Sequence, residues 1–144
     1  MADVHEPAVR SYNMSRIKSK DTKPEILVRK FLFSQGFRYR IHVKKLPGKP
    51  DIVLKRYNSI IFIHGCFWHK HNDCKYFVIP KTRTKWWLDK INRNVENDLK
   101  NYNKLKELGW NIITIWECKL KPKRREETLI NLIKLLKNEF IKTY

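Results

Sequence analysis

The sequence contains no apolar run near the ~20 residues needed to cross a bilayer, so no membrane span is expected. Its first ten residues, Met1 to Arg10, are polar and lack the apolar core of a signal peptide. There are no internal repeats, no low-complexity tracts and no Gly/Ser linker, which leaves a single domain as the simplest organisation. Cysteine is scarce: Cys66, Cys74 and Cys118 are the whole supply. An odd count without an export signal fits metal ligation or free thiols better than a disulfide framework. The chain therefore reads as intracellular and cytoplasmic. Acidic residues are also few, 14 against 32 Lys and Arg, and the net charge is +18. Such a balance favours a polyanionic partner, and nucleic acid is the usual one. A solvated lysine-rich surface explains part of the excess but seldom this much in so short a chain. No RNA-binding signature accompanies it.

What is present fits one globular unit. At 144 residues and 42% hydrophobic composition, the chain can bury roughly 68–70% of its unfolded surface without disulfides. Residues 1–20 read as a basic arm, with Arg10, Arg16, Lys18 and Lys20 and little hydrophobic periodicity, ahead of a single domain over 21–144. Thr22 and Glu25 have capping-box spacing with Pro24 in the first turn, so a helix starts there and ends near Gly36. Phe37 to Val43 alternates like a half-buried strand, and Asp51 to Leu54 follows a Pro-Gly turn as a second. Ile60 to Ile63 is continuously apolar, as in a strand buried on both faces. Leu88, Ile91, Val95, Leu99, Tyr102, Leu105 and Leu108 give a long helix with Gly109 as its stop. Trp110 to Trp116 is a strand with both tryptophans in the core, and Leu129 to Phe140 a last amphipathic helix. This order predicts an α/β sandwich, a mixed sheet covered by helices.

Two constellations carry chemistry. Cys66, His71 and Cys74 share one short stretch and Cys118 lies beyond a distant strand; three thiolates and an imidazole form the Cys₃His set of a structural zinc site. Buried free cysteines with solvent-facing histidines are the plain alternative. Every cysteine of the chain can enter the set, however, which favours Zn²⁺. The second constellation is Asp51 followed by the strand ending at His64. A carboxylate and a backbone carbonyl suffice to anchor Mg²⁺, which keeps several waters, and His69 has the pKa range of a general base. Glu25 serves a capping box or metal-bound water equally well on spacing alone.

Pro47-Gly48-Lys49-Pro50-Asp51-Ile52-Val53, Ile61-Phe62-Ile63-His64-Gly65-Cys66-Phe67-Trp68-His69, Lys81-Thr82-Arg83-Thr84 leading to Trp87, and Glu107-Leu108-Gly109-Trp110 leading to Trp116-Glu117-Cys118 resemble the very short patch repair (Vsr) mismatch endonucleases. Lys18 to Glu25 is similar as well, so the likeness runs from about Tyr12 to Cys118. The resemblance implies a restriction-endonuclease-like fold with a structural zinc site. It also implies Mg²⁺-dependent incision of one strand beside the T of a T:G mismatch left by deamination of 5-methylcytosine. It makes Asp51 the metal-binding carboxylate and Ile63 a carbonyl ligand. His69 becomes the base, His64 and Glu25 organise metal-bound water and phosphate, and Cys66, His71, Cys74 and Cys118 hold zinc. Met14, Phe67, Trp68 and Trp87 correspond to side chains that wedge into the base stack, where a mismatch lowers the unstacking cost. Phosphate contacts are expected from Arg16, Lys18, Lys20, Lys81, Arg83 and Lys85. Two departures are notable: Ile63 stands where family members often have threonine, and the His71–Cys74 interval is one residue longer than in some members. The expected partner is double-stranded DNA carrying the mismatch, acted on by a monomer, with mismatch-repair proteins as further partners. A restriction-type enzyme acting on paired DNA and an inactive zinc-stapled DNA-binding module are the competing readings.

Overall fold

Thr22 opens the first helix: its hydroxyl accepts from the Glu25 N–H at 3.4 Å, and Pro24 occupies the first turn without sacrificing a helical bond. The computed structural model describes residues 21–143, with the side chains of 139–143 excepted; Met14, Arg16, Lys18, Lys20 and the Phe140 side chain lie outside the described residues. Helix α1 spans Lys23–Ser34 and turns Val28 and Leu32, both fully buried, towards the sheet. The chain then leaves through Gly36 at φ 88°, a left-handed position that suits glycine.

Three strands come next, β1 (Ile52–Leu54), β2 (Ser59–His64) and β3 (Asn111–Trp116). β1 pairs antiparallel with β2, which pairs parallel with β3 over all six residues, from Ser59↔Asn111 to His64↔Trp116. The sheet is thus mixed, as the sequence predicts. The strand expected at Phe37 to Val43 is reduced to one antiparallel bridge, Arg40↔Val53. The backbone explains the loss: His42 sits at φ 56°, which ends an extended run two residues past the bridge.

Helix α2 spans Thr84–Glu107 and helix α3 Arg125–Thr143. Ile52, Leu54, Ile61, Ile63 and Ile115 pack against α1 and against Leu129, Leu132 and Leu136 of α3. Val53, Ile60 and Phe62 pack on the other face against Leu105 and Tyr102 of α2. Helices therefore cover both faces, and every residue of β2 is buried, as its unbroken apolar run requires. Gly48 (φ 76°) brings its loop against α2 so closely that a Cβ there would lie 3.1 Å from that of Asn101. No helix among the described residues is long and apolar enough to cross a membrane.

The long helix does not bury the stripe that hydrophobicity marks. Ile91 and Leu105 are fully buried, but Val95 is 36%, Leu99 60% and Leu108 63% exposed. The face turned inward runs through Ile91, Asn94, Asp98, Tyr102 and Leu105, at intervals of three and four residues. Three of those five positions are polar, and each of the three reaches a residue in the stretch His64 to His69.

Candidate active site and metal centre

Asp51 stands at the entry to β1, where β2 runs on beyond its last β1 partner. The Asp51 N–H donates to the Ile61 carbonyl at 3.2 Å, and Asp51 Oδ2 accepts from the Ile63 N–H at 2.6 Å. In a strand, a residue's N–H and C=O face the same edge. The Ile63 carbonyl therefore faces the side on which the Asp51 carboxylate lies. Burial raises the Asp51 carboxyl to about 7, and the neighbouring Glu25 carboxylate pushes the same way; the Ile63 N–H and the His69 imidazole oppose it. Two crowded carboxylates with a backbone carbonyl at hand form a site that a hard divalent cation would relieve.

Glu25 fills the helix-start role its spacing allows. Oε2 accepts from the Asp21 N–H at 2.7 Å and from an Arg29 guanidinium nitrogen at 3.2 Å, so the side chain closes the start of α1. The same carboxylate is buried beside Asp51. A cleft of about 340 Å³ opens over the pair, bordered by Arg29, His42, Lys44 and Lys49. Its cationic rim suits a phosphate approaching the carboxylates.

At the end of β2, His64 stacks on His69 of the following turn with ring centroids 3.8 Å apart. Each is held from α2. His69 Nδ1 lies 2.6 Å from Asp98 Oδ2, and His64 Nε2 meets the Tyr102 hydroxyl one helical turn further on. Burial first, then the His69 imidazole, lowers His64 to about 4, so that ring is neutral at working pH. A carboxylate on Nδ1 fixes the His69 tautomer and leaves Nε2 to accept a proton. Asp98, Tyr102 and Asn94, which donates to the Trp68 carbonyl at 3.1 Å, were missed in the sequence. Their i, i+4, i+8 spacing was the available signal, but it competes with a stronger-looking apolar stripe.

The second cluster comprises Cys66, His71, Cys74 and Cys118, whose ligand atoms lie within 4.8 Å of one another. Cys118 Sγ is 3.4 Å from His71 Nδ1. No disulfide joins the thiols. Three sulfurs and one imidazole nitrogen converging in this way match a four-coordinate soft-metal centre, so the donor set fits Zn²⁺. Burial pushes the Cys66 thiol up to about 12 and lowers His71, which favours the neutral, ligating imidazole. Trp116 is half-buried rather than a core residue as expected: it stacks on His71 at 4.1 Å and touches His64 at 5.3 Å, between the two clusters.

Phe67, Trp68 and Trp87 are half-buried and touch one another at 5.2–6.0 Å, apart from both core clusters. Trp86, also unforeseen, extends this group while 43% exposed, with the Arg83 guanidinium over its ring. Lys81, Arg83 and Lys85 are exposed beside it, at the start of α2.

An α/β unit offering paired carboxylates and a carboxylate-held imidazole beside a cationic cleft belongs with the phosphodiester hydrolases, and its relatives make the substrate DNA. The profile of the family "DNA mismatch endonuclease Vsr" matches residues 2–76. The chain is 50% identical over 139 residues to the type II nicking enzyme V.NmeAIP of Neisseria meningitidis, covering 96% of this chain and 99% of that one. It is 46% identical to the DNA mismatch endonuclease Vsr of Escherichia coli over 87% of this chain and 80% of the other. With V.XorIIP of Xanthomonas oryzae, a type II nicking enzyme, identity is 42% over 83% and 88%. The chain belongs to the Vsr family of DNA mismatch endonucleases.

Proposed function

We propose that this endonuclease nicks one strand of duplex DNA beside the T of a T:G mismatch, with Mg²⁺ at Asp51 and Zn²⁺ in the cysteine cluster. Support comes from the mismatch-endonuclease relative, which matches most of this chain at 46% identity, together with the carboxylate-held histidine next to Asp51. The nicking enzymes among the relatives favour incision of one strand.

When bound, Mg²⁺ polarises the phosphoryl oxygens and acidifies its water. Asp51 and the Ile63 carbonyl would hold it, with Glu25 beside them; a carbonyl ligand does not depend on the side chain that Ile63 carries. His69 Nε2 accepts the proton of the attacking water, and Asp98 keeps the ring in the accepting tautomer and stabilises the charge it gains. His64, neutral and fixed by Tyr102, offers its remaining ring nitrogen to water or phosphate. Phe67, Trp68 and Trp87 enter the stack at the mismatch, where unstacking costs least. Arg16, Lys18 and Lys20 of the basic arm at 1–20 and the Lys81, Arg83 and Lys85 cluster secure the backbone, while Met14 of the arm joins the wedge. One asymmetric nick requires one active site, so the working unit is a monomer acting on cytoplasmic DNA, alongside mismatch-repair proteins.

The test is strand-specific nicking of labelled duplexes with Mg²⁺, in which T:G mismatches in varied flanking contexts are compared with T:A and C:G controls. A single cut next to the mismatched T, lost in Asp51→Ala, is the expected result. Cutting of the paired controls would assign a restriction-type enzyme instead, and cleavage surviving Asp51→Ala would refute the mechanism.

A further inference from the structure

Beyond Cys118 the molecule carries a second large concavity, about 890 Å³, which the hydrolytic chemistry does not use. One wall is the end of the metal-ligating loop, with Lys75 and Tyr76; the other is the segment bearing Lys119, Lys121, Lys123 and Arg124. Five cations line it with one carboxylate, Asp73, and with His71, Cys74 and Cys118 of the cysteine cluster, and none of the five is ion-paired among the described residues. The walls are tied together rather than loose: Cys118 meets His71 across the cluster, and the Thr128 hydroxyl of α3 donates to the Lys119 carbonyl at 2.8 Å. The Tyr76 ring draws the Lys75 and Lys121 ammonium groups, one from each wall, to 5.2 Å from its centroid. Gathering unpaired cations in a concavity carries a repulsive cost that a polyanion removes. The groove also adjoins the active site, since His71 on its wall stacks on Trp116, which touches His64.

We propose that this groove binds backbone phosphates of the duplex flanking the nick, as a second anchoring site set away from the aromatic wedge. The proposal rests on duplex DNA being the substrate. The groove wall reaches His64 through the Trp116 ring, which puts Lys119 to Arg124 in the neighbourhood of a duplex seated at the active site. Duplex DNA carries one charge per ~1.7 Å of axis, so a groove of this size spans several phosphates.

The experiment is a salt series of fluorescence anisotropy with the zinc-loaded full chain and a labelled 30-base-pair T:G duplex, without added Mg²⁺. Lys121→Gln/Lys123→Gln is compared with Lys134→Gln/Lys137→Gln, which removes the same charge from exposed positions on α3. Thermal melts establish that both pairs fold. The groove pair should flatten the slope of log K against log salt by about 2, at about 0.9 per phosphate, and weaken binding roughly tenfold at 0.15 M salt. The α3 pair should change the slope little. Equal effects from the two pairs, or none from the groove pair, would overturn the groove while leaving the endonuclease intact. A wild-type chain that binds no duplex would overturn the DNA reading itself.

Discussion

Removing the metal from the cysteine cluster should loosen the fold by an amount set by chain topology. Cys74 and Cys118 are 44 positions apart, and α2 and β3 lie wholly between them. A cross-link closing a loop of that length restricts the unfolded chain by about 4 kcal/mol at 25 °C. For a chain of this size, 1 kcal/mol moves Tm by roughly 3–4 °C, so loss of the metal should lower Tm by about 12–16 °C. The direct metal–ligand energy adds to this, with zinc-finger peptides setting an upper limit of roughly 10–16 kcal/mol. Calorimetry of the wild-type chain before and after chelation, with Mg²⁺ restored in excess, gives the shift. Elemental analysis gives the stoichiometry, expected to be one zinc per chain. Cys118→Ser should show the lowered Tm from the outset, and chelator should then lower it little further. A chelated wild type that melts within about 2 °C of the untreated protein would refute the staple. So would a Cys118→Ser variant that keeps one tightly held zinc.

The two α2 contacts give further tests. Asp98→Asn should lower single-turnover nicking by roughly 10–100-fold with little change in DNA affinity, whereas His69→Ala should cost the 10²–10⁴ of a general base; an unchanged rate in Asp98→Asn would show that the 2.6 Å contact does not orient the base. Tyr102→Phe leaves a ring nitrogen of His64, itself only 4% exposed, without its partner, at a cost of about 1–3 kcal/mol in urea unfolding. The His64 ¹⁵N resonances should report an altered tautomer balance, and unaltered resonances would show that Tyr102 does not fix that ring.

The parts of the fold governed by local chemistry were legible in the sequence. Thr22, Pro24 and Gly36 bound α1, Gly109 stops the chain just past α2, and the apolar run of β2 marks the centre of the sheet. What depends on tertiary placement was not. Phe37 to Val43 alternates like a strand, yet it makes only the Arg40 bridge because the chain must turn at His42 to reach the Gly48 loop. In α2 the hydrophobic periodicity points through Val95 and Leu99, both on the outside, because the inward face is reserved for Asn94, Asp98 and Tyr102. Periodicity locates a buried face only where burial is apolar. A helix that supplies the inner support of an active site breaks that assumption where function is concentrated.

Trp116 shows why the two clusters belong to one device. The parallel register sets it directly opposite His64, and a slip of one residue would send its ring to the other face of the sheet. Its ring lies between the His71 ring of the cysteine cluster and His64, which in turn stacks on His69. The row of rings therefore links the cysteine-bearing loop to the histidine held by Asp98, across the C-terminal ends of β2 and β3. The ladder between these strands ends at the His64–Trp116 pair, so side-chain stacking and the four-residue cluster hold the chain beyond it. Glu117 and Cys118 come immediately after Trp116 in a short 3-10 turn, so whatever fixes Cys118 also fixes the end of β3. The four-residue cluster can thus set the position of His64 to within the tolerance of a ring stack, through Trp116.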